Sequence, residues 1–323
     1  MAAVHFLNVG AGDCTIIEHA SGNLTMIDIN NGEDLSNREI AEIVGSSGSG
    51  LALQAQAMMN PLYGLKKIDA LAQMGIDLEL TNPIEFLHRI YPGRPIFRYI
   101  QTHPDLDHMR GLSALLESDI PIINFWDCPH DKEPTFRSDA DEEDWKAYKK
   151  ISSGAYGAKV ITPRRGTSQK YYNVNEDGSA GGDGLTILSP SSTLHASCQE
   201  DEDTNNSSYV LEFRYAGVSV ILGGDAGEAA WEEMYPLYWN SVFPRCNVLK
   251  ASHHGRDSGY YQPAVKAMCP TYTIVSAGKK PDTEVCSKYA RYSPNVWTTR
   301  WNGNIHLEID PAGQGQILRD RAA

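Results

Sequence analysis

Cationic side chains are scarce in this chain. In 323 residues, 28 lysines and arginines stand against 41 aspartates and glutamates, a formal net charge of −13. A protein that coats nucleic acid through its phosphates is normally basic, so this balance argues against non-specific duplex binding. It leaves room for a phosphate substrate at a metal site, where the cations carry the local positive charge. Much of the acidity lies in two blocks, Asp139-Ala140-Asp141-Glu142-Glu143-Asp144 and Glu200-Asp201-Glu202-Asp203, which read as solvated surface. No apolar stretch approaches the roughly 18 residues of a membrane span. The N-terminus shows neither the basic head nor the apolar run of a signal peptide. Six cysteines (Cys14, Cys128, Cys198, Cys246, Cys269 and Cys286) include no C-x-x-C pair. Reduced thiols in a cytoplasm are the expectation, not a disulfide framework.

What is present is concentrated at strand ends. His103-Pro104-Asp105-Leu106-Asp107-His108 puts two imidazoles and two carboxylates into six consecutive positions, directly after the apolar run Ile96-Phe97-Arg98-Tyr99-Ile100. Such a loop is a poor way to build a core and a good way to hold divalent cations. Imidazole nitrogen with carboxylate oxygen suits zinc, manganese or iron, and the lack of nearby cysteine argues against a thiolate structural site. Two further apolar runs end in ligand-type side chains: Val218 to Leu222 leads into Gly223-Gly224-Asp225, and Asn247 to Ser252 leads into His253-His254-Gly255. Each reads as a buried strand with a glycine that allows close backbone approach.

Along the chain, Val4 to Val9 and Cys14 to Glu18 read as a β-hairpin turning at Gly10-Ala11-Gly12-Asp13, followed by a strand over Leu24 to Ile29. Asn82-Pro83 opens a capped helix to Ile90, and Met109 to Glu117 is a helix after the metal-type loop. Further strands are expected at Pro121 to Trp126, Leu185 to Leu188, Tyr209 to Tyr215, Val218 to Leu222, Asn247 to Ala251, Thr271 to Ser276 and Asn304 to Ile309. A helix is expected over Glu228 to Leu237. The chain reads as a single domain over 1–323 with inserts near 33–90 and 127–182. The first insert contains the flexible break Ser46 to Gly50. The second carries an amphipathic helix near Glu143 to Lys150, the pair Arg164-Arg165 and a Gly-rich exit, and reads as a substrate-facing lid.

The order Asp28, then His103 to His108, then Gly224-Asp225, then His253-His254-Gly255 resembles the metallo-β-lactamase superfamily. His5-Phe6-Leu7-Asn8-Val9-Gly10-Ala11-Gly12-Asp13, Asn205 to Leu211 and Leu249 to Gly255 are similar to the metallohydrolase domain of ComEC/Rec2-type competence proteins and their free-standing relatives. The resemblance implies a layered αββα sandwich and two divalent cations, zinc or manganese, that polarise the scissile group and activate a bridging water. It puts His103 and Asp105 at the first cation and Asp107 and His108 at the second. Asp225 would bridge, and His253 or His254 would complete the second site, with His253 favoured because it follows the strand more closely.

Asp105 stands where many members have a second histidine, which tilts the site toward manganese. Asn205-Asn206-Ser207-Ser208 stands where another histidine is usual, with Asn206 read as a weak ligand or a donor to substrate, and His195 as a rival ligand. Asp28 is expected to orient the metal loop, and Asp13 to face the site from the hairpin turn. Asn205, Ser208, Lys250, Lys279 and Arg300 are candidate substrate contacts, alongside Arg256 and Lys280. Trp126, Trp297 and Trp301 are possible stacking platforms or core residues.

The function this implies is a phosphodiesterase or nuclease acting on single-stranded nucleic acid or a nucleotide-sized diester. Thioester or lactone hydrolysis is the second enzymatic option on the same fold. A non-catalytic metal-binding module working with partner proteins of a multi-gene system is the third, weighed down by the retention of nearly all ligand types.

Overall fold

Apolar runs with inward and outward faces become two β-sheets packed against each other. The computed structural model describes residues 1–31, 79–167, 182–277 and 283–321. The break at Ser46 to Gly50, most of the first insert, the Gly-rich part of the second, and Lys279 and Lys280 lie outside these. The first sheet runs β14 (Gly315–Arg319), β13 (Ile305–Ile309), β1 (Ala2–Phe6), β2 (Thr15–Glu18), β3 (Leu24–Ile27), β4 (Ile96–Ile100), β5 (Ile122–Trp126), β6 (Lys159–Ile161). The second runs β12 (Asn295–Thr298), β11 (Tyr272–Val275), β10 (Cys246–Lys250), β9 (Val218–Leu222), β8 (Val210–Tyr215), β7 (Leu185–Ser189). Val4, Phe6, Ile27, Ile100 and Trp126 of the first sheet pack against Leu211, Phe213, Val220, Leu222 and Val248 of the second. Each such side chain taken from water contributes about 1.5–3 kcal/mol.

Helices cover the outer faces. On the first sheet, α1 (Pro83–Ile90), α2 (Leu112–Glu117) and α3 (Asp139–Ser152) bring Phe86, Leu112, Leu115, Trp145, Tyr148 and Ile151 onto Met26, Tyr99 and Phe125. The start of α1 is set by Asn82, whose Oδ1 accepts from the Ile84 and Glu85 amides, with Pro83 as its first residue. After α4 (Ser192–Glu200), α5 (Glu228–Tyr238), α6 (Gln262–Met268) and α7 (Cys286–Tyr289) cover the second sheet with Trp231, Met234, Val265, Met268 and Tyr289. A short α8 (Thr299–Asn302) follows β12. The αββα layering is the one expected. Among the described residues, no helix is long and apolar enough to cross a membrane.

β3 to β6 are parallel neighbours, as are β9 to β12. Their carboxyl ends deliver Asp28, the loop of residues 101–108, Asp225 and the pair His253-His254. Crevices outside the carboxyl ends of parallel strands are where open α/β sheets bind ligands. Two glycines let the loops meet there. A Cβ on Gly12 would lie 2.4 Å from the Asp107 carbonyl oxygen. Gly224 has φ +49°, and a Cβ there would lie 2.5 Å from Ser208 Oγ.

The second insert departs from expectation. Helix α3 is core, because its apolar face packs onto α2 and the sheet, and two residues of its acidic block, Asp141 and Asp144, are buried rather than solvated. Asp144, buried, accepts from the Gly111 amide and from the Ser113 amide and hydroxyl, satisfying donors at the start of α2. Asp141 is buried against Arg110 at 2.9 Å. The helix therefore braces the segment that follows the metal-type loop. Trp145→Ala should lower the unfolding free energy by about 3–5 kcal/mol, read as a shifted urea midpoint at unchanged slope. A loss below about 1 kcal/mol would restore the lid.

Candidate metal centre

Four strand ends converge on Asp225. Its carboxylate is buried between the sheets, with His108 Nε2 at 3.3 Å from Oδ1 and His254 Nε2 at 3.5 Å from Oδ2. His253 Nε2 and His103 Nε2 lie at 3.9 and 4.0 Å from Oδ2. The loop carboxylates close the cluster: Asp107 Oδ2 is 3.3 Å from His254 Nε2, and Asp105 Oδ2 is 3.7 Å from His103 Nε2. Ligand atoms of His103, His108 and Asp225 lie within 4.8 Å of one another, as do those of Asp107, His108 and His254.

The orientation of each ring says more than its position. His108 Nδ1 donates to Asp28 Oδ2 at 2.7 Å, and His254 Nδ1 donates to the Ser276 carbonyl at 3.1 Å. His103 Nδ1 lies 3.1 Å from Thr102 Oγ1 and 3.3 Å from Ser208 Oγ. The Thr102 hydroxyl spends its own proton on Asp28, and Ser208 Oγ accepts the Asp225 amide. With Nδ1 engaged outward, each Nε2 presents its lone pair to the centre. The Nε2 atoms of His103, His108 and His254, and Asp225 Oδ1, are buried without a hydrogen-bond partner. Buried polar atoms left unpaired are costly, and a cation shared among them removes that cost. The donor set and the outer partners that fix each tautomer both fit divalent metal.

The electrostatics agree. Burial would raise the Asp225 carboxyl, but His108 and His254 outweigh it and hold it well below the usual carboxylate range. Burial likewise opposes ionisation of Asp107, and His254 and His108 prevail. Burial disfavours protonated His108 and His254, yet Asp225 and the carboxylates beside it raise both above an ordinary histidine. The centre demands positive charge at the Nε2 positions, from protons or from a metal that displaces them.

No protein-family model matches the chain. A stretch of 126 residues is 33% identical to ComE operon protein 3 of Bacillus subtilis (strain 168), spanning 37% of this chain and only 15% of that protein's length. Among solved structures, the metallo-β-lactamase fold protein YhfI from Bacillus subtilis aligns over 97% of this chain and 99% of its own, with TM-score 0.41 and 9% identity. Igni18, a metallo hydrolase from Ignicoccus hospitalis, aligns over 99% and 100%, with TM-score 0.40 and 12% identity. A long form RNase Z from yeast aligns over 92% of this chain and 40% of its own, with TM-score 0.37 and 8% identity. The chain is similar to metallo-β-lactamase fold proteins.

The structure brings His103, Asp105, Asp107, His108 and Asp225 together. Asp28 accepts from the Thr102 amide and hydroxyl and from His108, each at 2.7 Å. Of the pair His253-His254, the favoured His253 lies farther from Asp225 Oδ2 than His254, 3.9 against 3.5 Å. Two successive left-handed residues, His253 at φ +49° and His254 at φ +53°, turn the second ring inward and leave the first at the rim. Asn206 is corrected: its Nδ2 donates to Asp203 Oδ2 at 2.6 Å and its Oδ1 accepts the Ala230 amide at the start of α5, so its amide is spent on local structure. Neighbouring Asn205 has a buried Oδ1 without a partner.

Lys250 does not face substrate, because it is buried in an ion pair with Asp13 that ties the hairpin turn to β10. Arg300 is buried over the face of Trp301, three strands along the same sheet edge from Asp225. His195 packs by Cys128 and Gln199, away from the cluster, and Trp126 is core.

Two contributors carried little sequence signal. Gln101 Nε2 donates to the carbonyls of His103 at 2.9 Å and His108 at 3.0 Å, clamping the loop from inside. Its clue is a polar side chain at the end of an apolar strand. The Ser276 carbonyl offers no clue, being backbone. Asp28→Asn should weaken divalent-metal affinity about 10–100-fold, measured by competition with a chelating dye. Unchanged affinity would show that Asp28 only shapes the backbone.

Proposed function

We propose that this protein is a metal-dependent hydrolase of the metallo-β-lactamase type that cleaves phosphodiesters, with two divalent cations, manganese or zinc, at the Asp225 cluster. The observation that carries the reading is the convergence of three partnerless Nε2 atoms on a buried carboxylate, beneath two carboxylates that reach solvent. Asp105 and Asp107 side chains are 40% and 36% exposed, so a substrate enters on their side. His103, Asp105 and Asp225 would hold one cation, and Asp107, His108, Asp225 and His254 the other. Divalent cations bound there would polarise a phosphoryl oxygen and lower the pKa of water toward neutrality.

The chain's own residues do the rest. Asp28 and the Ser276 carbonyl keep the protons of His108 and His254 on Nδ1, and Gln101 holds the loop carbonyls. The Asn205 backbone carbonyl accepts the Ser208 amide at 3.0 Å, and its side-chain N–H would be the group offered to a bound diester.

Two observations favour a phosphodiester over a thioester or lactone. The oxygen-rich set created by Asp105 suits a hard cation, and the 126-residue match to ComE operon protein 3 agrees with the competence-type resemblance of the sequence motifs. Single-stranded nucleic acid or a nucleotide-sized diester is the substrate class this supports, handled in a reducing cytoplasm and alongside partner proteins. A substrate held by cations does not need the basic surface that this acidic chain lacks.

The purified protein should hold about two manganese or zinc ions per chain by mass spectrometry, hydrolyse bis-p-nitrophenyl phosphate, and lose both properties in Asp225→Ala. Equal metal content in the two proteins removes Asp225 from the site. A metal-loaded wild type inert toward diesters but active on a thioester moves the chemistry to acyl transfer.

A further inference from the structure

His253 is set apart from the other three imidazoles of the cluster by its exposure and by the partner of its Nδ1. Its ring stands at the solvent rim of the cluster, with the side chain 15% exposed against 8% for His254 and 0% for His103 and His108. Nε2 is turned inward, 3.9 Å from Asp225 Oδ2. Nδ1 is held by Ser258 Oγ at 2.8 Å. The other three imidazoles have their Nε2 sealed from solvent and left without partners. Backbone bonds fix the rim position. The His253 amide donates to the Gly224 carbonyl at 3.0 Å, one residue before Asp225, and its carbonyl accepts the Arg256 amide at 2.9 Å. The ring is thus tied to the Asp225 turn on one side and braced by Ser258 on the other. A left-handed φ in a histidine is uncommon and persists where the surroundings enforce it.

We propose that His253, braced by Ser258, donates a hydrogen bond from Nε2 to a non-bridging oxygen of a phosphate or phosphodiester bound at the cluster. With the Ser258 hydroxyl as donor to Nδ1, the ring proton sits on Nε2, which faces Asp225 Oδ2 at 3.9 Å. A donor already fixed in place stabilises charge that develops on the substrate without reorganising, and losing one such donor costs about 10²–10³-fold in turnover. Tetrahedral phosphate oxygens suit this arrangement, because the oxygens not facing the cations point toward the rim. The proposal rests on the reading of the cluster as a metal centre with His254 as ligand.

His253→Asn tests it with a residue that tolerates the left-handed backbone and is too short to reach the mouth. His253→Gln offers an amide nearer the Nε2 position, and Ser258→Ala removes the brace. Manganese content, bis-p-nitrophenyl phosphate turnover and calorimetric binding of inorganic phosphate are measured on all three, beside wild type and His254→Ala. His253→Asn should keep wild-type manganese while turnover falls about 10²-fold with little change in KM. His253→Gln should recover about tenfold of that loss, Ser258→Ala should lie between, and His254→Ala should lose manganese. His253→Asn losing manganese as His254→Ala does would make His253 a ligand and overturn the proposal, as would wild-type turnover in His253→Asn. A wild type that retains manganese but cleaves no diester fails the phosphodiesterase reading alone. Phosphate binding then decides: affinity at least about tenfold weaker in His253→Asn upholds the contact, and equal affinity overturns it.

Discussion

A carboxylate sealed between two sheets is the constraint on which this structure depends. Asp225 is 2% exposed, and burying a charge is unfavourable unless it is paired. Three imidazoles surround it, and each has its outer nitrogen committed elsewhere: His108 to Asp28, His254 to the Ser276 carbonyl, His103 to two hydroxyls. Those outer contacts come from both sheets, so the ring orientations are properties of the whole sandwich. The result is a set of converging lone pairs and carboxylate oxygens that only positive charge satisfies. A divalent cation answers that requirement in a way that hydrogen bonds among the same groups do not.

The layered fold explains why the groups meet. Parallel strands in each sheet end on the same side, and the apolar middle layer holds the two sets of ends face to face. The hairpin turn reaches across through Gly12 and through the Asp13–Lys250 ion pair, which links β10 to the other sheet at the cluster's flank. Helix α3 braces the loop from behind through Asp144 and Asp141. The rigid parts therefore lie behind the cluster. Its accessible groups, Asp105, Asp107 and His253, lie in front.

Much of this was legible in the residues, because ligand-type side chains followed apolar runs at three places and chemistry of that kind has no use in a core. The layered class followed from strands in two groups separated by helices. What escaped was set by long-range contacts or by single backbone angles. Lys250 reads as a surface cation until Asp13, 237 residues away in sequence, is beside it. The choice between His253 and His254 turns on two left-handed residues in succession, which strand periodicity does not anticipate. Asn206 looked chemical because of its neighbours, yet helix capping consumes it. An amphipathic pattern such as that of α3 specifies one apolar face without saying whether a core or a substrate covers it. The short strands β6, β12 and β14 take their register from neighbours and carry little apolar pattern of their own.

Anomalous diffraction from crystals of the manganese- or zinc-loaded protein tests the central claim most directly. The account predicts two peaks flanking the Asp225 carboxylate, within about 2.0–2.2 Å of Nε2 of His103, His108 and His254, with His253 outside bonding distance. Peaks confined to surface carboxylates such as Asp139 and Glu143, or no peak beside Asp225 at saturating metal, would contradict it.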